Sequence, residues 1–212
     1  MKSIQTDNGK FLYKEEELYH GRKEINVEIA KENLFIFNSI MENTKIRYGL
    51  FFGTLLGAVR DNGLIEYDED VDIYILEEDK HDTFNLLFKF REVGLELIRV
   101  GDGYVSLMRN DEYIDLYFFR KSTRFFFLKY RTHRNKYAVK ESYLTHPIKY
   151  ELYNKEFYIP NNPEKVLRDL YGNNWKTPIR DYHAPGNTML LNLFKYLGVY
   201  QVATSFYRIL KK

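Results

Sequence analysis

The 212-residue sequence has no cysteine, so it forms neither a disulfide nor a thiolate metal site, and any metal must be held by oxygen or nitrogen. A cysteine-free chain suits a reducing compartment, and the expected location is cytoplasmic. Charge of one sign is also lacking: 32 Lys and Arg stand against 30 Asp and Glu, a formal net charge of +2. That balance excludes a strong field over the whole surface, so any basic function must be local. No run reaches the roughly 18 uncharged apolar residues of a membrane span. The opening MKSIQTDNGKFLYKEEE has no apolar stretch of the kind a secretory leader needs. Proline is scarce, with five residues, and no linker, repeat or low-complexity tract divides the chain. The expectation is one catalytic-sized domain over residues 1–186 followed by an apolar, basic helical segment over 187–212.

Aromatics, by contrast, are abundant at 17%, with 19 Tyr and 16 Phe. From Glu24 to Asn43, Ile25, Ile29, Phe35 or Ile36, and Ile40 recur at helical spacing. Arg47 to Phe52 reads as a strand, and Leu55 to Arg60 as a short helix entered through Gly53-Thr54. Asp61-Asn62-Gly63 marks a turn. Residues 71–76 alternate as a strand that follows an acidic cluster, and Lys80 to Val93 reads as a second amphipathic helix stopped at Gly94. Three strands follow at Leu95–Val100, Tyr104–Met108 and Tyr113–Phe119. A hairpin is expected over 148–159 around Asn154-Lys155, then a helix from Glu164 to Tyr171 with Pro163 at its start. Residues 1–22 are polar and carry no expected function.

Chemistry concentrates at three places. Asp70 and Asp72 lie on one face of the strand while Val71 and Ile73 enter the core. Two carboxylates so close repel each other, and a divalent cation is the usual reason to keep them together. Asp115 interrupts an apolar strand, where an unpaired carboxylate is costly, so it needs a partner. Asp70, Asp72 and Asp115 together suit Mg2+ or Mn2+; the plainer alternative is a solvated acidic turn and an edge-strand residue. Gly53-Thr54 either cradles a phosphate or simply caps a helix through Thr54. Arg60 either reaches a phosphate or pairs with Asp61. Residues 120–140 hold eight Lys or Arg and no acid, interleaved with Phe125, Phe126, Phe127, Tyr130 and Tyr137. That pattern fits nucleic acid, an anionic small substrate or polymer, or a solvated face; the small net charge argues against extended nucleic acid. His133, His146 and His183 lack metal-ligand spacing and read as loop residues.

The ordered set FFGTLLGAVRDNGLIEYDEDVDIYI, EYIDLYFF and PEKVLRDLYGNNWKTPIRD resembles the LicD / fukutin-related phosphotransferases over roughly residues 30 to 180. The first matches their G-T-L-L-G-x-x-R and W-D-D-D-x-D motifs, with Tyr67 for the usual Trp and Glu69 for an Asp. The cysteine-containing zinc loop of some animal members has no counterpart here. The resemblance implies an α+β (α/β) fold of nucleotidyltransferase type, a mixed sheet flanked by helices with a helical C-terminal segment. It implies transfer of a phospho-alcohol, such as phosphocholine or a polyol or glycerol phosphate, from a CDP-alcohol donor to a glycan or lipid-linked glycan acceptor. CMP would be released, as in modification of cell-surface polysaccharide or teichoic acid. Asp70 and Asp72 would hold the metal, and Asp115 would complete its shell or accept a proton. Gly53, Thr54 and Arg60 would position phosphates, with Arg131, Arg134 and Lys136 favoured from the basic stretch. Tyr171 and Trp175 would wall the pocket, or merely pack. Residues 187–212 would rest on the core, on a second subunit, or on the inner face of the membrane. Two other functions fit the same residues: nucleotidyl transfer with release of pyrophosphate, and non-catalytic binding of an anionic polymer.

Overall fold

A computed structural model describes residues 1–18, 23–124, 128–134 and 137–179. The chain opens with a hairpin, β1 (Lys2–Thr6) and β2 (Gly9–Tyr13), followed by α1 (Val27–Met41), β3 (Tyr48–Leu50), α2 (Phe52–Asp61) and β4 (Val71–Leu76). A 3-10 turn (Glu77–Asp79) leads into α3 (Lys80–Asn85) and α4 (Leu87–Glu92). Then come β5 (Glu96–Gly101), β6 (Tyr104–Arg109), β7 (Glu112–Arg124), β8 (Leu128–His133) and β9 (Tyr137–Lys140). Helix α5 (Glu141–Thr145), a hairpin of β10 (Ile148–Leu152) and β11 (Lys155–Ile159), and α6 (Pro163–Tyr171) follow. The segment 187–212, with His183 and Lys136, lies outside the described residues. Among the described residues no helix is long and apolar enough to cross a membrane.

The main sheet runs β3-β4-β7-β6-β5, and β7 outlasts these partners to pair with β8, which pairs with β9. Only the central β4–β7 pairing is parallel; its neighbours are antiparallel. All six residues of β4 are buried, as a strand covered on both faces should be. Its register sets Asp72 opposite Asp115, Asp115 opposite Ser106, and Ser106 opposite Arg99. Paired residues share a face, so four polar side chains stand in a row across four adjacent strands. The opposite face is apolar, with Val71, Ile73, Ile114, Leu116 and Phe118 buried among α1 and its neighbours. Burying each such side chain contributes about 1.5–3 kcal/mol. This apolar face fixes the register and so holds the polar row in place.

Several elements depart from the sequence pattern. In α1 the buried apolar residues are Ala30, Leu34, Phe37, Met41 and, as expected, Ile40, while Ile29, Phe35 and Ile36 are half-buried. The buried amides on that helix are used: Asn33 donates to the carbonyls of Arg109 and Glu112, and Asn38 accepts from the Tyr48 hydroxyl. The expected helix over 80–93 is two short ones. Leu86 N–H bonds the Thr83 carbonyl in a tightened last turn, and Asn8 takes the Asn85 carbonyl. Asn8 belongs to the N-terminal hairpin, whose Asp7-Asn8 turn also seats Asp7 on Asn85. The later hairpin turns at Tyr153-Asn154, one residue earlier than expected, with φ of 54° and 58° as a two-residue hairpin loop requires.

Candidate active site

The polar face is organised by the junction of β4 with the start of α2. Phe51 N–H donates to the Asp72 carbonyl at 2.9 Å, Gly53 N–H to Asp72 Oδ2 at 2.8 Å, and Asp72 N–H to Thr54 Oγ1 at 2.8 Å. Three hydrogen bonds thus tie one aspartate to the first turn of α2. Thr54 is therefore no N-cap: Phe51 holds that position without a side-chain cap, and the Thr54 hydroxyl is an acceptor inside the helix. Phe52 takes φ 37°, a left-handed conformation that costs a phenylalanine roughly 1–3 kcal/mol. Its ring is held edge-on by Tyr117 at 5.0 Å and Tyr137 at 4.8 Å. Gly53 is needed for a close approach, because a Cβ there would lie 2.1 Å from Asp68 Oδ2 and 3.3 Å from Asp72 Oδ2. Asp68 thus stands at the same junction as Asp72.

Asp70 is half-buried at the mouth of β4, and Asp72 is buried within it. Burial, then the charges of Asp72, Asp115, Asp68 and Glu69, push the Asp70 carboxyl well above its ordinary range. Burial, then Asp68 and Asp115, do the same to Asp72, opposed by donation from Gly53 and Tyr117. Tyr117, whose own ionisation is pushed up by burial and these acids, stays a donor; its hydroxyl reaches Asp115 Oδ2 at 3.1 Å.

Asp115 has the partner its burial demanded. Arg99 Nη2 donates to its two oxygens at 3.1 and 2.9 Å, Ser106 Oγ donates to Oδ1, and Arg99 Nε donates to Ser106 Oγ at 2.9 Å. Burial raises the Asp115 carboxyl, and Arg99, Ser106 and Tyr117 oppose that rise. Arg99, Ser106 and Tyr117 were missed in the sequence. Tyr117 was findable, since it stands two residues beyond Asp115 on the same strand face.

The remaining expected residues divide. Tyr171 comes to the site: burial and the charges of Asp72 and Asp68 push its hydroxyl well up. Arg134, exposed at φ 49°, stacks over Tyr104 at 5.6 Å, at the rim of the row. Arg60 forms an ion pair with Asp61 at 2.7 Å. Trp175 is buried in the core. Arg131 is 1% exposed and clamped between Glu78 and Glu141, so it holds β8 to the 3-10 turn and α5 and does not face a phosphate. The basic stretch draws its acids from elsewhere: Asp102 pairs with Arg120 and Glu78 with Lys121. His133 is a buried strand residue beneath Tyr117 and Phe119, not a loop residue, and burial holds its imidazole down to about 4.

For a hard divalent cation the donor set fits in part. The Asp70 and Asp72 carboxyls are raised by burial and by the charges of neighbouring acids, Asp68 among them, a condition that a cation relieves. Among the described residues, however, no three acidic, histidine or cysteine side chains are grouped to hold a metal ion. Asp115, expected as the third ligand, is bonded to Arg99 at 2.9 Å.

The chain resembles known proteins over parts of its length. An uncharacterized protein of Rickettsia typhi is 29% identical over 136 residues, 63% of this chain and 42% of the relative. The lipopolysaccharide cholinephosphotransferase LicD of Haemophilus influenzae is 42% identical over 48 residues, 23% of this chain and 18% of that protein. The chain thus spans less than half the length of these curated relatives. Among solved structures, the antibiotic-resistance factor ANT(2'')-Ia is 11% identical with a TM-score of 0.49, covering 85% of this chain and 94% of that one. The lincosamide antibiotic adenylyltransferase LnuA is 11% identical with a TM-score of 0.45, covering 69% and 86%. The family described as LicD/FKTN/FKRP, nucleotidyltransferase domain, matches over residues 45–162, which hold Gly53, the acidic cluster and Asp115, and the chain belongs to that family.

Proposed function

We propose that the protein is a metal-dependent phosphotransferase that moves a phospho-alcohol from a CDP-linked donor to a glycan hydroxyl and releases CMP. The observation that carries this reading is the pair Asp68 and Asp72 pressed against Gly53 at the start of α2, with Asp70 beside them on the same acidic segment. Asp70 and Asp72 would hold Mg2+ or Mn2+, which when bound supplies neutralising charge for the diphosphate and the leaving CMP. The start of α2 brings backbone N–H groups and the positive end of the helix dipole to the same place, so it favours phosphate oxygens. Tyr171 closes one side, and Arg134 stands at the rim for the donor's remaining charge. Asp115, made more basic by burial and oriented by Arg99, Ser106 and Tyr117, accepts the acceptor's proton. In the transfer, the acceptor oxygen bonds to the alcohol-bearing phosphorus. The bond from that phosphorus to the bridging oxygen breaks, and CMP leaves with the electron pair.

The test is CMP release from CDP-choline, CDP-ribitol and CDP-glycerol with Mg2+ or Mn2+ and a glycan acceptor. We expect release with one of these donors and a loss of roughly a thousandfold in Asp72→Asn, the several kcal/mol of charge stabilisation that a metal provides. Pyrophosphate release from a nucleoside triphosphate would instead establish nucleotidyl transfer. Unchanged turnover in Asp72→Asn would refute the assignment.

A further inference from the structure

Arg99 ends the row that crosses the sheet, and its surroundings are unusual for a cation. The side chain is 21% exposed and its Asp115 partner 4%. The guanidinium carbon lies 4.9 Å from the Tyr104 ring and 5.8 Å from that of Tyr113. Its Nη2 and Nε donors serve Asp115 and Ser106, each the cross-strand neighbour of the next, so the sheet register itself sets the geometry. Asp115 also accepts from Ser106 and Tyr117. Removing one member of so buried a pair leaves an uncompensated charge, which is strongly unfavourable.

We propose that Arg99 is a resident cation that takes the place a second divalent ion would need at Asp115. The site then admits a single divalent ion, on Asp70 and Asp72. Arg99 is a positioning residue: it keeps Asp115 metal-free and aimed as a proton acceptor. The inference rests on the metal role proposed above for Asp70 and Asp72.

Electron paramagnetic resonance counts bound Mn2+ directly, with no need for turnover. The wild-type protein should bind one ion. Arg99→Met frees Asp115 and should bind two, and Arg99→Met combined with Asp115→Asn should return to one. If Arg99→Met does not fold, Asp115→Asn alone decides. Its Mn2+ affinity should match wild type while CMP release is lost, whereas disturbing a true ligand set lowers affinity about 10–100-fold. Two ions on the wild-type protein, or such a loss in Asp115→Asn, would overturn the inference while leaving the phosphotransferase reading intact. No bound ion at all would overturn both.

Discussion

Replacing Gly53 with alanine adds one methyl group at the most crowded point of the acidic face. The backbone accepts it, since Gly53 does not lie in the left-handed region. The new carbon, however, would sit 2.1 Å from Asp68 Oδ2, 3.1 Å from Asp68 Cγ and 3.3 Å from Asp72 Oδ2, where ordinary contact begins near 3.4 Å. The helix cannot withdraw, because Phe51, Gly53 and Thr54 are each bonded to Asp72. Asp68 must therefore retreat by more than an ångström (about that much displacement costs on the order of a hundredfold in rate), and Asp72 must give by a few tenths. Overpacking costs about 1–3 kcal/mol, offset by up to about 1 kcal/mol of better helix propensity. At about 2–4 °C per kcal/mol for a chain of this size, Tm should fall by only a few degrees. The assay is kcat/KM for CMP release beside the Tm rise on adding Mg2+, with circular dichroism confirming the fold. We expect a roughly hundredfold loss of kcat/KM and a smaller Mg2+ response. Wild-type values of both would show that the carboxylates are not packed against α2 as described.

Two further outcomes follow from the charges. Asp70 and Asp72 have folded-state pKa values raised above their unfolded ones, so the metal-free protein is favoured at low pH and loses stability as pH rises through those raised values. Mg2+ binds the ionised pair, so its Tm increment should be larger near pH 8 than near pH 5, and an increment that shrinks with rising pH would contradict this. Arg131→Met leaves Glu78 and Glu141 without their shared guanidinium, and should cost about 3–5 kcal/mol of stability in denaturant titration while kcat per folded molecule is kept. Loss of kcat at unchanged stability would restore the phosphate-binding role expected from the sequence.

What could be read from the sequence depended on how local each signal was. The alternation of Val71, Asp72 and Ile73 and the lone polar residue in Ile114-Asp115-Leu116 are strand signals; the first strand has its expected bounds, while the second, expected to stop at Phe119, runs on to Arg124. Pro163 and Gly172 bracket α6 as expected, Gly172 at φ 87°. Arg99 and Ser106 could not be read because their meeting with Asp115 depends on the register of two successive antiparallel pairings, including an irregularity between Leu97 and Arg99. The excess of base over 120–140 misled for the same reason. Counting acids along the chain missed Glu78 and Asp102, which the sheet brings alongside. The split of the 80–93 helix depends on a contact with Asn8, more than seventy residues away in sequence.

The parallel pairing of β4 with β7 has a consequence for how the protein acquires its activity. Asp72 and Asp115 belong to opposite ends of a long crossover that contains α3, α4 and the β5–β6 hairpin. Their contact forms only after that whole excursion has closed, and closing it costs loop entropy before any contact rewards it. The carboxylates are therefore kept apart in early folding, and their mutual repulsion is met only once the surrounding core exists to withstand it. Arg99 and Ser106 travel on the inserted hairpin, so the charge that tempers Asp115 arrives with the element that completes the sheet.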